Sequence, residues 1–393
     1  MENISGKSYK VDYVIFFSGH IDSTNALAVE NAINDLKKDF SGKNLYIDCE
    51  HLEYISSAGL RIILRLLKDN KELKIINVKP DVYEVFEMTG FTQILPIEKA
   101  FREISIEGCE IIGQGANGFV YRIDRDTIIK VYKSKDALPD IKRETGLARK
   151  AFILGIPTAI PYDVVKVDGG YGSVFELLNA KSFSKILANE PEKLDELVKV
   201  YVELLKKIHS THVKEGDMPD MKEVVLNWVA FLKDYIDEDK FNKLDRMVNE
   251  IPKVDTMMHG DYHTKNVMMQ DGECLLIDMD TISIGYPIFE FASMYLGFIG
   301  FGELNHHQTE SFLGIPSDLA KEFFYKLMAL YLNTTDETRI NDVIDKGRIV
   351  GYTRIIRRTI RREDINNKET KEKIEHYRDE LYDLLDKKDT LLF

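Results

Sequence analysis

An α/β domain followed by a larger α+β domain with two lobes is the architecture that this sequence predicts. Three observations carry the prediction. The first stretch of roughly a hundred residues, an ordinary domain size, alternates short apolar strands with amphipathic helices, which is the rhythm of an open α/β sheet. After Glu107 the pattern changes to closely spaced strands separated by glycines and a short turn, and from Ser184 onward long helical patterns dominate. Length agrees, because 393 residues exceed what one hydrophobic core usually serves.

In chain order, Val11 to Ser18 reads as a strand. Thr24 to Phe40 reads as a helix, with Leu27, Ala28, Ala32, Ile33 and Leu36 at helical spacing. Asn44 to Asp48 and Leu73 to Asn77 are further strands, with a helix from Ala58 to Lys68 between them. Pro80 to Thr89 gives one more helix, stopped by Gly90. In the second domain, Cys109 to Ile112, Phe119 to Ile123 and Thr127 to Tyr132 are strands around the turn Asp124 to Asp126. Pro139 to Leu154 is helical, and the strands Asp163 to Val167 and Ser173 to Leu178 flank the turn Asp168-Gly169-Gly170. A strand-rich segment from Met257 to Asp278 interrupts the helical half. The expected boundaries are 1–103 for the first domain, 104–182 for a β-rich lobe and 183–393 for a helical lobe.

Composition narrows the function classes. Hydrophobic residues make up 44% and charged residues 30%, the proportions of a folded globular chain. The formal net charge of -13 argues against a nucleic-acid partner, since that affinity comes from lysines and arginines that neutralise phosphates. Cys49, Cys109 and Cys274 lack the spacing of a zinc site or a disulfide framework, which fits a reducing compartment. The polar N-terminus has no signal-peptide pattern, and no apolar stretch approaches the ~20 residues that span a bilayer. The expectation is a cytoplasmic protein with no membrane partner.

The strongest chemical signal is His259-Gly-Asp261-Tyr-His263-Thr-Lys-Asn266, followed by Leu275-Leu-Ile-Asp278-Met-Asp280. Phosphoryl transfer needs a carboxylate that positions the acceptor and oxygen ligands that hold Mg²⁺ across the nucleotide phosphates. Asp261 and Asn266 have the Asp-x-x-x-x-Asn spacing of a catalytic loop, and Asp278 lies where a second strand returns to the same place. Asp261 is the expected base, with Asn266 and Asp278 as metal ligands. The competing reading is that Asp, Asn and Gly merely form turns here. Upstream residues weigh against it. Gly113, Gly115 and Gly118 match G-x-G-x-x-G, a weak signal alone because dinucleotide-binding folds share it. A dinucleotide fingerprint opens a helix, however, whereas Gly118 leads into the β-prone run Phe119 to Ile123. Lys130 follows on the next strand, where kinases set a lysine against the α and β phosphates, and Glu144 on the following helix is its expected partner.

On these residues, 108 to about 350 resemble the aminoglycoside and choline kinase-like phosphotransferase family. His259-Gly-Asp261 with His263 and Asn266 resembles that family's catalytic motif, and Leu204 to Ser210 resembles the helix before it. The resemblance implies a two-lobed protein-kinase-like fold, ATP or GTP with Mg²⁺ as cofactors, and a small-molecule hydroxyl as acceptor. It also implies that Phe175-Glu176-Leu-Leu178 is a hinge whose backbone meets the adenine. One position departs from the family: Glu290 in Glu290-Phe-Ala292 stands where an Asp is usual, which keeps a carboxylate for structural hydrogen bonds.

The N-terminal part resembles STAS domains, as in anti-sigma factor antagonists, through the strand, loop and helix start from Leu45 to Leu60. In that family a serine at this helix N-terminus can accept phosphate, where free amides and the helix dipole favour anions. Alignment on Gly59-Leu60 makes Ser57 the acceptor position, while Ser56 replaces a usual Asp; the alternative is that either serine only caps the helix. The fusion implies a regulatory protein that binds the STAS domain, and it opens two rivals to a small-molecule kinase. One is a kinase acting on Ser57; the other is a nucleotide sensor without turnover. Finally, Arg354, Arg357, Arg358, Arg361 and Arg362 cluster beside Ile355, Ile356 and Ile360. They read as a solvated face salt-bridged to nearby acids, or as a basic face suited to an acidic partner domain, an anionic substrate or a membrane surface. Trp228 and the aromatics from Phe289 to Phe301 read as core.

Overall fold

The computed structural model describes residues 3–9, 11–114, 118–134 and 136–393. They form two compact units, Met1–Ile104 and Ser105–Phe393. Among the described residues no helix is long and apolar enough to cross a membrane, and all three cysteines are free.

The first unit contains β1 (Ile4–Ser8), β2 (Asp12–Ile21), α1 (Ala26–Phe40), β3 (Asn44–Ile55), α2 (Ser57–Asp69), β4 (Lys74–Val78), α3 (Pro80–Met88) and β5 (Ile97–Lys99). Its sheet runs in the order β1-β2-β3-β4-β5. β1 pairs with β2 antiparallel, and the other pairs are parallel. Alternation places Tyr13, Ile15 and Phe17 of β2 in the core with Ile47, Ile63, Ile75 and Phe86. Two strands have no apolar pattern from which to read them: β1 buries only Ile4, and β5 buries none of its residues fully. β3 also continues past Asp48 to Ile55, paired with β2 through two register shifts. Gly90 adopts φ +78°, the left-handed conformation that ends a helix at low steric cost.

In the second unit, β6 (Glu110–Gln114), β7 (Gly118–Arg122), β8 (Thr127–Tyr132), β9 (Pro161–Val167) and β10 (Gly170–Glu176) form an antiparallel sheet in the order β6-β7-β8-β10-β9. α4 (Leu138–Ile153) lies between β8 and β9 in the chain. The helical lobe then runs through β11 (Lys181–Ser182), α5 (Phe183–Asn189), α6 (Leu194–His209), α7 (Met221–Leu232) and α8 (Glu238–Asn249). The strand-rich segment resolves into β12 (Met257–Met258), the hairpin β13 (Val267–Gln270) and β14 (Glu273–Leu276), and β15 (Ser283–Ile284), which pairs with β12. After it come α9 (Ile288–Phe298), α10 (His306–Leu313), α11 (Ser317–Leu332), α12 (Glu337–Arg362) and α13 (Lys368–Lys387). One core runs from Leu147 on α4 through α6, α9 and α11 to Leu385 on α13. Phe289, Phe291 and Phe298 belong to it, as expected, while Trp228 packs at its edge.

Gly59 shows how tightly the first core closes around the start of α2. A Cβ there would come within 2.6 Å of Ile55 Cγ1 and 2.9 Å of Ile21 Cγ2, and both isoleucines are buried. Overpacking of this kind costs about 1–3 kcal/mol. Gly59→Ala is expected to destabilise the first unit by that amount, measured by denaturant unfolding of the full chain.

Candidate active site

On the β-rich side, Lys130 is central. It lies on β8 between β7 and β10, and α4 packs so that Glu144 Oε1 is 2.7 Å from its ammonium. The second Glu144 oxygen accepts from the Tyr132 hydroxyl, so this buried carboxylate has partners on both oxygens. Asp278 Oδ1 reaches the same ammonium from the helical lobe at 3.1 Å. Burial works against the charge on Lys130, but the carboxylates of Asp278 and Glu144 outweigh it and hold its pKa above the usual lysine value. The lysine is therefore a fixed cation, only 19% exposed.

The G-x-G-x-x-G segment falls partly within the described residues. Gly113 lies in β6 beside a register irregularity, Gly118 opens β7, and Gly115 lies outside the described residues. Gly118 has a packing reason to be glycine, since a Cβ would come 2.1 Å from the Val131 carbonyl oxygen on the paired strand. Glu176 ends β10; its N–H donates to the Ile160 carbonyl at 3.0 Å and its carboxylate accepts from the Ile160 N–H at 3.3 Å. The expected strand stops there, two residues early, and Leu178 follows half-buried in the connection to the helical lobe.

The loop 259–266 connects β12 to β13, and its backbone is pinned from three sides. Glu290 on α9, fully buried, accepts from the His259 N–H at 2.6 Å and the Gly260 N–H at 2.9 Å. Ser293, one turn further along α9, donates to the Gly260 carbonyl at 2.7 Å, and Thr281 donates to the His259 carbonyl at 2.8 Å. Tyr201 on α6 and Tyr262 donate to each other's carbonyls at 3.0 and 2.8 Å. Asp261, thus placed, has its carboxylate 3.4 Å from His263 Nε2. Burial alone would raise its pKa, but the hydrogen bond from His263 and the charges of His263 and Arg354 prevail and hold it below the usual carboxylate value. The Asn266 amide nitrogen donates to the Asp261 carbonyl at 3.1 Å, which leaves its Oδ1 as an acceptor.

Asp278 adopts φ +60°, a left-handed conformation uncommon outside glycine and tolerated by Asp. Two residues on, Asp280 is raised to about 7 by burial first and then by the charges of Asp278 and Glu144. Sequence reading assigned Asp280 no role; only the fold brings it against two further carboxylates. Among the described residues no three His, Cys, Asp or Glu side chains gather closely enough to hold a metal by themselves. Mg²⁺ asks for less, because it is usually bound by one or two carboxylates together with substrate phosphates and waters. Asn266 Oδ1 and Asp278 fit that requirement.

In the first unit, Ser56 is the residue that caps α2, its hydroxyl accepting from the Ala58 N–H at 3.2 Å. Ser57 is the first residue of the helix and is exposed.

Glu290→Ala would strand the His259 and Gly260 amides in a buried place, at about 1–3 kcal/mol each. The expected result is a loss of several kcal/mol from the second unit in denaturant unfolding, with Glu290→Gln, which keeps one acceptor, falling between.

The phosphotransferase enzyme family, APH, has a family model that matches residues 108–314, and a STAS domain model matches residues 4–104. The N-terminal region is 35% identical over 94 residues to a Bordetella bronchiseptica protein described as an anti-sigma factor antagonist, BtrV, covering 22% of this chain and 80% of that protein. Among solved structures, an ADP-bound aminoglycoside phosphotransferase, APH(2'')-Ib, superposes with a TM-score of 0.50 at 14% identity, covering 77% of this chain and 98% of that one. The amicoumacin kinase hAmiN in complex with AMP-PNP and Ca²⁺ gives a TM-score of 0.47 at 15% identity, over 77% of this chain and 94% of that one. At 14% identity the likeness to APH(2'')-Ib concerns the fold. The chain belongs to the APH phosphotransferase family and carries a STAS domain at its N-terminal end.

Proposed function

We propose that this protein transfers the terminal phosphoryl group of ATP or GTP to a hydroxyl of a small molecule, with Mg²⁺ as cofactor. The observation that carries this reading is the convergence of Lys130, Glu144 and Asp278 within hydrogen-bond distance in the same unit as a rigidly held Asp261 and Asn266. Lys130 and the Gly113–Gly118 segment hold the nucleotide phosphates, and the backbone of Glu176 to Leu178 borders the base. Asn266 and Asp278 would hold Mg²⁺, which would supply positive charge against the phosphates. As the bond from acceptor oxygen to phosphorus forms, the bond from phosphorus to the leaving nucleoside diphosphate breaks, and the acceptor proton passes to Asp261. The lowered pKa of Asp261 makes it a weak base but a dependable, ionised acceptor of the substrate hydroxyl's hydrogen bond. That suits a transition state in which positioning matters more than deprotonation. A sensor without turnover would have no use for this arrangement around Asp261.

A second reading has its own support. With Ser56 occupied as the cap, Ser57 is an exposed hydroxyl at a helix N-terminus, where a phosphate is electrostatically welcome. In this reading the kinase unit phosphorylates Ser57 of its own or another chain, aided by the effective concentration that fusion provides. A regulatory protein docking on the STAS domain would read the change.

Asp261→Asn is expected to lower turnover at least about a hundredfold, the low end for a positioned proton acceptor, with nucleotide affinity nearly unchanged by calorimetry; equal turnover sinks the kinase reading. Intact-mass measurement after incubation with Mg²⁺ and ATP tests the second reading. A single added phosphoryl group that is absent from both Ser57→Ala and Asp261→Asn supports it, and equal labelling of Ser57→Ala excludes it.

A further inference from the structure

Past the middle of α12 the pairing of charges changes. Lys346 and Arg348 are neutralised, Lys346 by Asp342 at 2.6 Å and Arg348 by Asp345 at 3.1 Å and Glu380 at 2.6 Å. Beyond them, Arg354, Arg357, Arg358, Arg361 and Arg362 have no ion-pair partner within 4.0 Å among the described residues, although the chain carries a net charge of -13. The expected salt-bridged face is absent. Instead, three of these guanidinium groups lie over aromatic rings: Arg354 over Trp228 at 5.7 Å, Arg357 over Phe231 at 5.6 Å and Arg358 over Phe301 at 5.8 Å. Rings hold such cations in place without cancelling their charge.

Arg354 borders the loop that carries Asp261, and Arg358 follows one turn later on α12. Arg354 donates to Ser293 Oγ at 2.8 Å, beside the Gly260 carbonyl that Ser293 holds, and the charges it meets include Asp261, Arg358, Glu290 and Asp280. The ring under Arg358 belongs to a row of aromatic side chains that ends at His263. Phe301 meets Phe312 at 5.2 Å, Phe312 meets His263 at 4.8 Å, and His263 is 3.4 Å from Asp261. Arg354 has a structural duty toward Ser293 that uses part of its donor set. Arg358 is exposed and has no such duty.

A polycationic acceptor would meet repulsion from these unpaired guanidinium groups, whereas an anionic group would find donors not already committed to a carboxylate. We propose that the acceptor is an alcohol that also bears a carboxylate or phosphate, held by Arg354 and Arg358 while its hydroxyl faces Asp261. The proposal rests on the small-molecule kinase reading and names its substrate class.

The test is calorimetric titration of the full chain, in Mg²⁺ and ADP, with D-glycerate, glycerol 3-phosphate, glycerol and choline. Saturable binding of at least one anion, with glycerol and choline inert, is expected, and which anion binds separates carboxylate from phosphate. Arg358→Ala, an exposed position chosen because Arg354→Ala endangers the fold, should weaken that anion roughly tenfold or more, as loss of a charge-assisted hydrogen bond does. Added salt should weaken anion binding to wild type more than to the variant, which keeps only the Arg354 charge. Neutral or cationic probes binding as well as the anions, failure of both anions to bind at tens of millimolar, or unchanged anion affinity in Arg358→Ala overturns the proposal. The kinase reading fails separately, by absence of Mg²⁺-ATP binding in the same protein.

Discussion

Everything on the helical side of the candidate site hangs on the two hydrogen bonds from the His259 and Gly260 amides to Glu290. Neither amide has water to fall back on, and the carboxylate that receives them is itself shut in the core, so its charge is balanced largely by these donors. His209 on α6 lies 3.6 Å from the same carboxylate and contacts Tyr331 through its other ring nitrogen. α6, α9 and α11 are thus tied to one loop, and Asp261 inherits its position from them. The extra methylene of Glu over the family's usual Asp costs the arrangement nothing visible, since both oxygens still meet an amide.

The charges facing this loop are matched in a different way. Lys130 is shared between Glu144 and Asp278, one buried and one 44% exposed, and Asp280 adds a further carboxyl whose proton is held more tightly than usual. One ammonium among three carboxyl groups leaves the cleft short of positive charge, which a divalent cation would supply on binding with a nucleotide. Beside the Asp261 loop, Arg354 and Arg358 of α12 have no ion-pair partner among the described residues.

The STAS unit follows separate rules. Its sheet is held by alternating burial along β2 and at the start of β3, and the start of α2 is crowded enough that Gly59 has no room for a side chain. Ser56 and Ser57, adjacent in sequence and equally suited to capping, are sorted by geometry. The extended backbone at Ser56 turns its hydroxyl to the Ala58 amide, and Ser57, already helical, is left to solvent.

What the sequence determined by itself is whatever short-range chemistry can write. Strand and helix periodicities, the stop at Gly90, the Asp261-x-x-x-x-Asn266 spacing and the pair Lys130 and Glu144, only 14 residues apart, are all local patterns with local physical causes. The strands β1 and β5 escaped because neither has an alternating apolar face; their pairing partners define them. Only the tertiary structure decided that Glu290, about thirty residues downstream of the amides it receives, holds the loop, and that Asp280 joins Asp278 and Glu144. It alone separated the paired cations of α12 from the unpaired ones. Hydrogen bonds and charges act through space, and a residue's partners across a folded lobe leave no mark on the residues beside it in the chain.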